Sequence, residues 1–68
     1  MLRLTYEREK RGWTKTQTAF EAKVHPAALG KYESGKARPY KPDGSRLEAV
    51  FGIPIEELLS EVNSVERL

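Results

Sequence analysis

The chain has 68 residues, enough for one small domain and too few for most folds that enclose a catalytic pocket. It contains no cysteine, which excludes disulfides and thiolate metal sites, and no apolar run reaches the ~18 residues of a membrane span or resembles a signal-peptide core. Residues 1–42 carry ten Lys or Arg and four acids, whereas residues 43–68 carry two and six, so the net charge of +2 divides into +6 and −4. This asymmetry predicts either a face that binds a polyanion or a charged, solvated surface with no partner.

The first two predicted helices cover residues 2–11 and 14–22. Gly12 ends the first, after cations that suit the negative end of a helix dipole. Thr14 begins the second, and Gln17 is placed to complete a capping box by bonding back to the Thr14 amide. The side of the second helix predicted to face the core is small and consists of Ala19 and Ala22, with Phe20 beside them.

The third predicted helix, residues 26–34, follows a three-residue turn. Pro26 suits its first position, and Gly35 suits its left-handed C-cap. Leu29 and Tyr32 give it an apolar stripe. Because so short a turn forces two helices to cross steeply, residues 14–34 form a unit that presents one helix to the outside.

Two further helices are predicted after a loop at residues 36–42. Asp43 or Ser45 is predicted to cap the fourth helix, which turns Leu47, Val50 and Phe51 inward and ends at Gly52. The fifth helix is predicted to run from Ile55 to about Val62, with Leu58 and Leu59 inside. No strand alternation occurs, so the fold class is predicted to be all-α.

Over residues 2–60 the sequence resembles the helix-turn-helix repressors of the phage Cro and cI type, the Xre family. The most specific match is Tyr32-Glu33-Ser34-Gly35-Lys36 followed by Arg38-Pro39. Other matching positions are Leu4, Arg8, Gly12, Thr14, Ala19, Val24, Leu29, Leu47, Gly52 and Leu58. The resemblance implies a compact five-helix lambda-repressor-like DNA-binding domain at residues 1–62, with residues 63–68 as a C-terminal tail.

In such folds the third helix enters the major groove of double-stranded DNA. The resemblance therefore implies two groups of DNA-binding residues. Those expected at phosphates are Thr14, Lys15, Ser34, Lys36 and Arg38, and those expected at bases are His25, Pro26, Ala27, Ala28 and Lys31. The family usually has hydrogen-bonding side chains at the base-reading positions, so three of these depart from its pattern. Specificity is then low, or it comes from thymine contacts and DNA shape, or the helix meets a protein instead.

The resemblance also implies a largely buried ion pair between Arg8 and Glu33; the alternative is two unrelated surface charges. Lys23 stands where the family has glycine, and Thr18 stands where it has leucine. A homodimer is one expected arrangement, with an apolar patch formed by Ile53, Ile55, Val62, Val65 and Leu68. The alternative is that the first two belong to the core and the others to a frayed tail.

The function expected from the sequence is sequence-specific DNA binding by a bacterial or phage transcriptional regulator, a repressor, in the cytoplasm and at the nucleoid when bound. No enzyme activity, cofactor, metal, small-molecule ligand or membrane association is expected. The single histidine, His25, is interpreted as a cap or turn residue rather than a metal ligand or catalyst. The alternative function is a protein-interaction or antitoxin-like module that kept the fold but reads bases weakly.

Overall fold

Five helices follow one another in the structure, a computed structural model that describes residues 1–62. They are α1 (Arg3–Lys10), α2 (Lys15–Ala22), α3 (Pro26–Ser34), α4 (Lys41–Phe51) and α5 (Ile55–Leu58). Within residues 1–62 the β-type pairing is one isolated antiparallel bridge between Leu2 and Glu61. The prediction of an all-α, five-helix fold is confirmed. No helix in this part of the chain is both long and apolar enough to cross a membrane.

The helix ends follow local sequence signals. Thr14 Oγ1 accepts a hydrogen bond from the Gln17 amide at 3.0 Å, which caps α2. The Gln17 side chain does not complete the predicted capping box, because its amide nitrogen donates to Glu21 Oε2 at 2.7 Å instead. Gly35 and Gly52 end α3 and α4 with φ of +81° and +67°, a region that glycine adopts without a Cβ clash.

The start of α4 differs from the prediction. The helix begins at Lys41, so neither Asp43 nor Ser45 caps it. Pro42 lies in the first turn, where its missing N–H leaves no helix hydrogen bond unmade. Asp43 points into the protein and accepts a hydrogen bond from the Tyr32 hydroxyl at 2.5 Å. The aspartate therefore joins α4 to α3 rather than beginning a helix.

The fifth helix is shorter than predicted and ends at Leu58 rather than near Val62. Backbone pairing with the start of the chain takes over from the helix. The Arg3 amide donates to the Ser60 carbonyl at 2.8 Å, and the Val62 amide donates to the Met1 carbonyl at 2.9 Å. These bonds run between residues about sixty positions apart, which local helix signals do not encode.

The core contains one leucine from each of four helices and two alanines from α2. Its buried apolar members are Leu4, Ala19, Ala22, Val24, Leu29, Tyr32, Leu47, Phe51 and Leu58. Thr18 is fully buried among them, and its hydroxyl donates to the Thr14 carbonyl at 3.0 Å, so the polar atom of this side chain is paired. The placement of Phe20 beside the inner face was wrong, because its side chain is 78% exposed.

Glu7 is a buried carboxylate on α1 held between Arg3 of the same helix and Arg11, which follows the end of the helix. Arg3 Nε lies 2.9 Å from one carboxylate oxygen, and Arg11 Nη1 lies 2.8 Å from the other. Burial alone would raise the pKa of Glu7, but the hydrogen bonds from Arg11 and Arg3 outweigh it and lower that pKa below its ordinary value. The charged glutamate is therefore the stable form within the fold.

Candidate nucleic-acid interface

The two helices of residues 14–34 are held together by their turn. Val24 is buried beneath it, and its amide donates to the Ala19 carbonyl at 3.0 Å. Lys23 takes a left-handed conformation with φ of +60°, the conformation for which the resembling family uses glycine. Ala19 is 2% exposed, and its small side chain allows α2 and α3 to pack closely together. The turn therefore fixes the direction in which α3 projects.

One side of α3 is anchored to the core and the other is open. Leu29 and Tyr32 are buried on the inner side. Ala27, Lys31 and Ser34 are spaced four and three residues apart, which places them in one row, and all three are exposed. We call this row, with the preceding His25 and Pro26, the outer face of α3. Both His25 and Pro26 are also exposed.

Two small residues shape the outer face. Ala28, expected to contact bases, is half-buried and packs against the core, so it lies at the edge of the face. Gly30 is half-buried, and a Cβ added to it would have no atom within 4 Å. Leu29 points into the core, and on the exposed side of α3 Ala27, Ala28 and Gly30 have no atom beyond a Cβ, so the helix surface between Ala27 and Lys31 is low.

His25 is the N-cap of α3. Its Nδ1 accepts a hydrogen bond from the Ala27 amide at 3.1 Å. An imidazole nitrogen that accepts carries no proton, so in the neutral ring the proton lies on Nε2. The cap thus leaves His25 with a hydrogen-bond donor on an exposed side chain.

The residues expected at phosphates lie at the start of α2, at the end of α3 and just after it. Thr14 and Lys15 are exposed at the start of α2, and Ser34 is exposed at the end of α3. Lys15 and Ser34 line one pocket of about 320 Å³, which Met1, before the start of α1, also lines. The Ser34 hydroxyl donates to the Lys31 carbonyl at 3.1 Å.

Lys36 and Arg38 lie in the segment that follows α3. Both are exposed. The backbone amides of Lys36 and Ala37 donate to the Lys31 carbonyl at 3.0 and 3.3 Å, which holds this segment against the end of α3. The residues expected at phosphates are thus all exposed, at the start of α2, at the end of α3 and in the segment that follows α3.

A buried ion pair holds the last turn of α3 to α1. Arg8 Nε lies 2.8 Å from Glu33 Oε2, and Arg8 Nη1 donates to the Trp13 carbonyl at 2.8 Å. The Thr5 hydroxyl donates to the other Glu33 oxygen at 3.1 Å. The side chains of Arg8 and Glu33 are 11% and 4% exposed. This network joins α1, the entry to α2 and the last turn of α3.

One exposed feature beside the interface was not expected from the sequence. Phe20 and Pro26 line a mainly apolar groove of about 540 Å³ between α2 and the start of α3, floored by Val24. The signal that could have located Phe20 is helical spacing. Thr16 and Phe20 are four residues apart and follow the exposed side of α2 rather than the side of Ala19.

A helix-turn-helix family model of the Cro/C1 type matches residues 4–58. No significant match was found among curated proteins or among solved structures. Because the family match covers well over half of the chain, the protein belongs to this helix-turn-helix family, whose domains are DNA-binding and non-enzymatic. The suspected relationship is confirmed.

Proposed function

We propose that residues 1–62 form a unit that binds double-stranded DNA sequence-specifically and acts as a transcriptional regulator, a repressor, at the nucleoid in the cytoplasm. The observation that carries this proposal is the outer face of α3, which is exposed and low while its opposite side is fixed in the core. A helix held in this way suits insertion into a major groove, with α2 crossing the backbone above it. Residues 63–68 lie outside the described part of the chain, and we propose that they are a tail.

The distribution of cations supports phosphate contact. Lys15 at the start of α2 and Lys36 and Arg38 in the segment after α3 are all exposed. The arginines of α1 differ, because Arg3 and Arg8 are each within 3 Å of a carboxylate oxygen. The charges of Arg3 and Arg8 are thus neutralised within the fold, whereas the exposed Lys15, Lys36 and Arg38 can meet the phosphates of a duplex.

The proposal is tested by measuring affinity for a random-sequence duplex by fluorescence anisotropy over a range of salt. We expect log K to fall with log salt by about 0.9 per phosphate contact, giving a slope of roughly −3 if Lys15, Lys36 and Arg38 each contact one. The double substitution Lys36→Ala and Arg38→Ala should make that slope shallower by about 2.

A matched control is Lys10→Ala. Lys10 Nζ lies 5.9 Å from the centroid of the Tyr6 ring, and Lys10 does not line the pocket that contains Lys15 and Ser34. It should leave the salt slope unchanged. If no duplex binds at low salt, or if Lys10→Ala changes the slope as much as the double substitution does, the proposed function is wrong.

A protein-interaction or antitoxin-like module is the second candidate function. The groove beside Phe20 favours it, because a 78% exposed aromatic side chain next to an apolar cleft is a common feature of protein-binding surfaces. Pro26 and Ala27 favour it as well, since neither side chain forms hydrogen bonds to bases. Under this alternative, Phe20→Ser changes partner binding, whereas Lys36→Ala has no effect.

We also propose a homodimer formed through the α4–α5 side, tested by sedimentation equilibrium. Ile53 and Ile55 are half-buried against the core, so only part of each side chain is available to a partner. Val62 is half-buried, and Val65 and Leu68 lie outside the described residues. An Ile53→Ser variant that sediments like the parent protein would argue against this interface.

A further inference from the structure

Resting on the proposed DNA binding, we infer that α3 reads the C5-methyl group of a pyrimidine, in thymine or 5-methylcytosine, with Pro26 and Ala27. Hydrogen-bond donors of His25 and Lys31 lie on either side of this apolar contact. The inference concerns which base edges the outer face can recognise.

The tip of α3 has little capacity for hydrogen bonding. Proline has no backbone N–H, so the first position of the helix offers no donor. The next amide, that of Ala27, already donates to His25 Nδ1 at 3.1 Å. The exposed atoms of Pro26 and Ala27 are therefore mainly aliphatic carbons. On the major-groove edges of the base pairs, the C5-methyl of a pyrimidine is the apolar group that such a surface can contact.

The two polar residues of the outer face that are expected at bases, His25 and Lys31, offer donors. His25 presents Nε2–H because its Nδ1 is used as the helix cap. Lys31, one turn beyond Ala27, presents an ammonium group with three donors and no acceptor. Guanine offers two acceptors, N7 and O6, and no donor in the major groove, whereas adenine and cytosine each present an amino group that requires an acceptor. Thymine O4 and adenine N7 each offer one acceptor, so these donors suit guanine best, next to a methylated pyrimidine.

The low surface between Ala27 and Lys31 makes the methyl contact sterically available. An apolar contact requires heavy atoms within about 4.0–4.5 Å. Long side chains at these positions would hold the helix away from the groove floor, but Gly30 has open space where a Cβ would be. The helix backbone can thus approach the bases closely enough for Ala27 Cβ to touch a methyl group.

The test first selects preferred duplexes from a random library with the parent protein. Each thymine of the best duplex is then replaced singly by deoxyuridine, which removes only the methyl group. We expect one position at which this replacement lowers affinity about fourfold, the loss for one buried methyl. At that position, 5-methylcytosine paired with guanine should bind about fourfold more tightly than cytosine paired with guanine.

Protein variants assign the contact. In Pro26→Ser with Ala27→Gly, the ratio of affinities for the thymine and uracil duplexes should fall to about 1. Lys36→Ala should weaken binding to both duplexes and keep the ratio near 4. Because the ratio compares two duplexes bound by the same protein, a change in folding stability cancels. If the double variant fails to fold, the measurements with the parent protein still decide whether a pyrimidine methyl group is recognised.

The outcomes separate this inference from the proposed function. If duplexes bind with the expected salt dependence but no deoxyuridine replacement changes affinity, or if selection yields sites without a thymine, the methyl inference is overturned and DNA binding stands. If no duplex binds at low salt, the proposed function itself fails. If the thymine-to-uracil ratio survives the double substitution in a folded protein, Pro26 and Ala27 are not the reading residues.

Discussion

Replacement of Arg8 by alanine is expected to destabilise the domain strongly. Glu33 would lose its charged partner while its side chain stays 4% exposed, and the Trp13 carbonyl would lose its donor. Removing one member of a buried ion pair costs about 3–5 kcal/mol. We expect about 3 kcal/mol, the lower end, because Thr5 still donates to Glu33. In a domain of this size each kcal/mol lowers Tm by about 4–8 °C, so Arg8→Ala should lower Tm by roughly 12–24 °C.

The matched control is Arg3→Ala, which removes an arginine from the same helix. The Arg3 side chain is 35% exposed, and its partner Glu7 keeps a bond from Arg11. We therefore expect a loss below about 1 kcal/mol. Both variants are compared by thermal and urea unfolding followed by circular dichroism. Equal losses would refute the reasoning.

A second substitution isolates the buried charge. In the Arg8→Ala background, Glu33→Gln should recover part of the lost stability, because a neutral amide costs less to bury than an unpaired carboxylate. In the parent protein the same Glu33→Gln substitution should be destabilising, since it weakens the bond to Arg8. An added loss in the double variant would show that the charge of Glu33 is not the source of the effect.

Three further predictions concern single residues. Gly30→Ala should raise the free energy of unfolding by about 1 kcal/mol in urea titrations, because the added Cβ meets open space, and it should weaken DNA binding; a loss of stability would contradict this. Because its pKa is lowered in the folded state, ionised Glu7 contributes stability that is complete above pH about 4.3 and is lost as pH falls through the folded-state pKa. The free energy of unfolding of Glu7→Gln should therefore depend less on acidic pH than that of the parent protein. Burial and the hydrogen bond to Asp43 raise the pKa of Tyr32 to about 12. The protonated tyrosine therefore contributes stability that is complete below pH about 10 and is lost as pH rises through about 12. Absorbance titration should show a tyrosinate component near pH 12 that Tyr32→Phe removes.

Local chemistry made the helix-turn-helix unit predictable. The bounds of α3 agree with the prediction because a proline and a glycine mark both of its ends within the sequence. The start of α4 was not predictable in the same way. An aspartate near a proline is equally compatible with a capping role, and what turns Asp43 inward is the Tyr32 hydroxyl on another helix. A side chain's neighbours across the core decide between such alternatives.

In the candidate site, too, some features follow from local sequence and others depend on the folded backbone. Spacing alone places Ala27 and Lys31 on one side of α3, and it could have placed Phe20 outside the core. The proton position on His25 requires knowledge of which nitrogen faces the Ala27 amide, and that depends on backbone geometry. The sequence could name His25 and Lys31 as base-contacting residues, but the nitrogen of His25 that offers a donor became known only with the structure.

The pairing of Met1 with Val62 affects how the protein can be handled. The N-terminal ammonium lies 3.2 Å from Glu61 Oε1, and Met1 also lines the pocket that contains Lys15 and Ser34. An affinity tag or fluorescent fusion attached before Met1 would remove that ammonium group and emerge at the margin where a DNA backbone is proposed to run. Cleavable tags would leave this margin free for binding measurements.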